Sequence, residues 1–181
     1  MKKLITILLL SISFNQLFAQ APDISARSKE EMKKLSYLAG DWKGEAVYRN
    51  AKGEMTIVQE EHIESKLQGL VLAIEGTGTQ KNTATSQDEI VFQAFAVVNF
   101  DQADQQFKFK SFVKEGYSTN AYFKVLAENK FEWGFDIGKG GKMRYAITLD
   151  PVKKTWNEVG EYSKDGNTWM KTIELNLIKL K

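Results

Sequence analysis

The chain of 181 residues has no cysteine, one histidine, and no apolar run after its first residues that approaches the length of a membrane helix. Without cysteine there is no disulfide to brace the fold, no thiolate metal site, and no acceptor for the lipid anchor of bacterial lipoproteins. A single histidine, His62, excludes paired-histidine metal centres and leaves any serine or metal mechanism built on histidine to that one residue. HExxH and EF-hand spacings are absent, so neither a zinc site nor a calcium loop is expected, and the sequence calls for no cofactor. Gly76-Thr77-Gly78 and the 138–141 run fall at strand ends and do not open helices, which removes the context of a phosphate-binding loop.

What is present begins with Met1-Lys2-Lys3, an apolar stretch from Leu4 to Ile12, and Leu17-Phe18-Ala19-Gln20. A basic start, a short apolar centre and a small residue in that order are the signature of a cleavable signal peptide over 1–19. The apolar stretch is well short of the ~20 residues that span a bilayer. The expected destination is the periplasm or the outside of the cell, with no stable membrane anchor. Loss of this segment takes two of the 25 basic residues and none of the 23 acidic ones, leaving the remainder formally neutral. The basic balance of the full chain is therefore no nucleic-acid footprint, and no nucleic-acid partner is expected.

Residues 20–27 read as a flexible leader, and 28–181 as one domain. Ser28 and Glu31 have capping-box spacing, and Met32, Leu35 and Leu38 form one apolar stripe, predicting a short helix that ends near Gly40. From Trp42 the hydrophobic period is two. Ten strands are expected, near 41–50, 55–64, 69–77, 89–99, 106–114, 117–126, 130–137, 142–149, 154–163 and 168–179. Turn-forming residues at 50–53, 127–130, 138–141 and 164–167 pair sequential strands. Asp101 precedes Phe107, and Asp150 precedes Trp156, by the same six residues, suggesting one hairpin device used twice. The polar stretch from Thr77 to Asp88 is expected to be the least ordered part and to border an opening. Short sequential antiparallel strands are best stabilised by closure, so the fold class is all-β: a single up-and-down barrel of about ten strands with a short N-terminal helix.

The segment Leu38-Ala39-Gly40-Asp41-Trp42-Lys43-Gly44-Glu45 resembles the opening of the calycin superfamily, that is, of lipocalin-like and nitrobindin-like barrels and related secreted bacterial families. Gly40 and Trp42 match its Gly-x-Trp, and Gly44 matches the longer nitrobindin-like form. Glu161-Tyr162-Ser163-Lys164-Asp165-Gly166-Asn167-Thr168-Trp169 is similar to the last hairpin of the secreted families. The resemblance implies a ligand in the lumen, with function set by the lining. Nitrobindin-like proteins hold haem iron with a histidine on a late strand. No histidine follows residue 62 here, which argues against that mechanism.

The direction of His62 turns on one loop. A type I turn with Gly53 left-handed would pair Asn50 with Glu54 and set Trp42, Tyr48, Glu60 and His62 on one inward face. A two-residue turn at Lys52-Gly53 would place Glu61 inside instead. The first is slightly favoured. Glu60 and Glu61, being adjacent on a strand, face opposite ways and form no glycosidase pair. By parity, Phe92, Trp133, Phe135 and Tyr145 join Tyr48 as lining. The candidate ligand-binding set is thus Trp42, Tyr48, Glu60, His62, Phe92, Trp133, Phe135 and Tyr145, with no catalytic residue assigned. Lys108, Lys110 and Lys114 beside Phe107, Phe109 and Phe112 read as a half-buried strand and not as a nucleic-acid stripe. The expected function is binding of a small apolar or amphipathic molecule. The alternatives are a hydrolase or isomerase using Glu60, Glu61 and His62, and a filled barrel acting as an interaction or envelope-stress module.

Overall fold

The computed structural model describes residues 23–180; the expected signal peptide over 1–19, the first part of the expected leader and Lys181 lie outside the described residues. Ten antiparallel strands close into a barrel in sequence order, with β1 (Gly40–Asn50) zipped to β10 (Met170–Lys179). Between them run β2 (Gly53–Lys66), β3 (Val71–Lys81), β4 (Asp88–Asp101), β5 (Gln106–Val113), β6 (Ser118–Ala127), β7 (Lys130–Gly138), β8 (Gly141–Asp150) and β9 (Thr155–Ser163). Closure leaves no sheet edge unpaired. The seam is tight: a Cβ at Gly44 would lie 2.0 Å from the Asn176 carbonyl oxygen, so this position needs a residue without a side chain.

The helix α1 spans Ala26–Lys33, earlier than the Ser28 start expected from the capping box. Asp23 opens it by accepting bonds from the Ser25 amide at 2.9 Å and the Ser25 hydroxyl at 2.5 Å, so Ser28 lies inside the helix and is buried. Glu31 turns instead to Lys34 and Arg27. The apolar stripe is as expected: Met32, Leu35 and Leu38 are buried and plug the barrel base.

The base is packed solid around Trp42, which is 1 % exposed. Its indole N–H donates to the Leu38 carbonyl at 2.8 Å, and its ring meets Trp156 and Tyr37 edge-on at 5.5 and 5.8 Å. Lys179 lies 4.1 Å from the Tyr37 ring centre and donates to the Tyr37 carbonyl at 2.7 Å, closing the plug from outside.

The repeated aspartate device is present. The Asp101 carboxylate accepts from the Ala103 amide at 2.8 Å, and that of Asp150 accepts from Val152 and Lys153 at 3.0 Å, with Gln105 and Lys154 left-handed before the next strand. The 77–88 stretch differs from expectation. Thr77–Lys81 continue β3, Asp88 begins β4, and the six residues between fold over the Asn82 side chain, which accepts from Ala84 and Thr85. This turn sits at the end opposite the plug. Along β5, Phe109 is buried while Lys110 is exposed, as a half-buried strand requires, whereas Phe112 points outward against Phe95.

Candidate functional site

The register of β1 on β2 decides what faces the lumen. Asn50 pairs with Gly53 around a two-residue Ala51-Lys52 loop, so Trp42 pairs with Glu61 and Tyr48 with Met55. The Lys52 amide bonds the Asn50 side chain at 2.8 Å, and Gly53, at φ +129°, already belongs to the strand. The favoured sequence expectation of an Asn50–Glu54 pair is therefore corrected by one residue, and every β2 side chain changes face. Glu60 and His62 point outward. Glu60 pairs with Lys43 at 2.5 Å, and half-exposed His62 with Asp41 at 2.5 Å. The hydrogen bond to Asp41 raises the imidazole pKa above its ordinary value, a surface effect remote from the lumen.

Gln59 and Glu61 face inward. Above the plug they help to line a cavity of about 200 Å³, shared by side chains from all ten strands and closed below by Leu38 and Trp156. Of the expected ligand-binding residues, Tyr48, Phe92, Trp133 and Tyr145 line it. Trp42 lies beneath, in the plug. Phe135 lies beyond, stacked 6.2 Å from Trp133 and 6.5 Å from Tyr145 without reaching the cavity wall.

The wall is aromatic and continuous. Tyr145 stacks on Trp133 at 3.9 Å and 5°, Trp133 on Phe109 at 4.7 Å and 19°, and Phe109 on Phe123 at 6.4 Å and 8°. Gly160 makes this possible: a Cβ there would stand 2.7 Å from the Tyr145 ring, which lies flat against β9 only because that side chain is missing.

Into this wall are set two acids. Glu158, 6 % exposed, accepts from the Trp133 indole at 3.0 Å and the Trp156 indole at 3.1 Å, one on each carboxyl oxygen. Glu61 accepts from the Gln59 amide at 2.8 Å. Both residues of β2 lie over glycines of β3: a Cβ at Gly76 would be 2.9 Å from both Glu61 oxygens, and one at Gly78 3.0 Å from Gln59 Oε1. Burial pushes Glu61 up to about 8, with Glu158 adding to the rise and Gln59 opposing it; burial pushes Glu158 up to about 7 against the two indole donors. Tyr48 is raised to about 12 by burial, then by Glu61 and Glu158, and Tyr145 is raised by burial, Glu158 and Tyr48. The four groups form one electrostatic cluster.

Glu158 escaped the sequence reading although a signal existed. It shares parity with Trp156, while Val159 takes the outward parity, an inversion of the usual apolar-in pattern along β9. Among the described residues no group of three or more potential ligands is placed to hold a metal ion, and no helix is long and apolar enough to cross a membrane. No protein-family model and no curated protein matches the chain.

Proposed function

We propose that the barrel binds a small amphipathic molecule in its lumen, as calycin-like barrels are built to do. The observation that carries the reading is the cavity of about 200 Å³, walled by Phe109, Trp133 and Tyr145 and furnished with a few convergent polar groups, Gln59, Glu61 and Glu158. A concave, mostly apolar site with a small number of placed polar atoms is what small-molecule recognition requires. The plug around Trp42 seals one end, so a ligand enters from the end bordered by the Asn82 turn.

N-phenyl-1-naphthylamine tests this reading. Its emission should rise to saturation with one site per chain. Ala94→Phe, which fills the lumen from β4, should weaken that binding by at least about tenfold while leaving the far-ultraviolet circular dichroism unchanged. Equal binding by the filled variant would place the probe elsewhere, and no binding by the wild type would remove the proposal.

Hydrolysis or isomerisation through Glu60, Glu61 and His62 draws no support from the geometry, because the outer two residues face away from the middle one. Proton transfer by Glu61 and Glu158 is the second reading, favoured by two lumenal carboxyls that titrate near neutrality.

A further inference from the structure

The polar atoms of the lumen are mismatched in kind. Gln59 is 1 % exposed, and its single side-chain bond is the one it donates to Glu61; its Oε1 is buried with no partner. Glu61 receives that one donor on Oε1, and no side chain among the described residues donates to its Oε2. The Glu158 oxygens are each occupied by one indole N–H. The titratable groups facing the cavity from its walls are Tyr48, Glu61, Tyr145 and Glu158; among the described residues no lysine, arginine or histidine lines it. A buried acceptor without a donor is unfavourable, and the ionised form of either acid beside it would add to the deficit. What the site lacks is a cationic donor, since the hydroxyls on its wall, those of Tyr48, Ser111 and Tyr145, are neutral.

Resting on the lumenal reading above, we infer that the ligand class is a lipophilic amine, its protonated nitrogen set between Glu61 and the free oxygen of Gln59 and its apolar body against the stacked rings of Trp133, Tyr145 and Phe109. Two of the three N–H bonds of an ammonium group match the open acceptors, Gln59 Oε1 and Glu61 Oε2, and ring faces favour a neighbouring cation. A fatty acid is disfavoured by the same geometry: its carboxylate would meet two acids and no base. On binding at neutral pH the amine brings its proton with it, Glu61 gives its own to solvent, and a carboxylate–ammonium pair remains. Affinity therefore rises with pH through the range in which Glu61 ionises.

The experiment compares 3-phenylpropylamine, 3-phenylpropanol and 3-phenylpropanoate by calorimetric titration of the mature chain. The amine should bind at least about tenfold tighter than the alcohol, and the carboxylate most weakly. Amine affinity should climb between about pH 6 and about pH 8, with proton release seen as a buffer-dependent heat. Glu61→Gln should erase the amine preference over the alcohol, and the wild-type pH profile stands as an independent readout should that variant fold poorly. If alcohol binds as well as amine, or carboxylate better, the amine inference is overturned while lumenal binding stands. If none of the three binds, both fall.

Discussion

Replacing Trp42 with alanine should lower the unfolding free energy by about 3–5 kcal/mol, a large share of the ~5–15 kcal/mol that holds a domain of this size. The residue closes the barrel base. Truncation opens a cavity beneath Leu38 and Trp156, removes two edge-to-face ring contacts, and leaves the Leu38 carbonyl without its indole donor. Lys179, 5.0 Å from the Trp42 ring centre, also loses part of its seat. Urea unfolding followed by circular dichroism reads the effect as a lower midpoint at unchanged slope. With no disulfide to brace the chain, nothing covalent masks the loss. A decrement under about 1 kcal/mol would show that the plug is not where the base is held together.

The second large effect is the dependence of stability on pH. Glu61 and Glu158 are raised from 4.5 to about 8 and about 7 respectively, so between those limits the folded chain holds protons that the unfolded chain has released. Their contribution is fully present below the unfolded pKa and is lost as pH rises through the folded values. Stability should fall by about 2–4 kcal/mol between about pH 5 and about pH 8.5, a figure well below the full sum of both shifts because each carboxyl keeps some solvation and hydrogen bonding in the folded state. His62, raised by Asp41, acts in the same direction but is solvent-exposed. The lowered surface carboxylates Asp23, Glu64, Asp104, Asp150, Asp165 and Glu174 act oppositely, and only at acid pH, where they must take up protons to unfold the chain. Glu61→Gln combined with Glu158→Gln should flatten the slope in thermal melts across that range. A melting temperature that climbs with pH in the wild type would contradict the burial of these two acids.

Much of the architecture is legible in the chain. The period of two after Trp42 marks all ten strands to within a few residues, because each half-buried strand must alternate to satisfy one wet face and one dry one. The aspartate turns are legible because a carboxylate that bonds the amides two and three residues on is a local device. The face of β2 is not local in this sense. The Asn50–Gly53 stretch is compatible with loops differing by a single residue, and one residue exchanges Glu60 and His62 for Gln59 and Glu61. Charged residues fall on both faces of β2, yet Ile57 and Ile63 share the parity of Glu61 and are buried, an apolar alternation that the adjacent charges obscured. The lumenal acids were hidden for the same reason. Glu61 is made tolerable by a glycine on the neighbouring strand, and Glu158 by indoles from β7 and β9, partners that only the closed sheet brings together.

The central claim is that Glu61, and not His62, faces a hollow lumen, and the absence of native cysteine makes a clean measurement of it. Single variants Glu61→Cys and His62→Cys, labelled with a charged methanethiosulfonate reagent, report the two directions. The thiol at 62 should react at the rate of an open surface thiol, and the thiol at 61 at least about tenfold more slowly and slower still with N-phenyl-1-naphthylamine present. Rapid, ligand-insensitive labelling at 61 with protection at 62 would reverse the register and contradict the account.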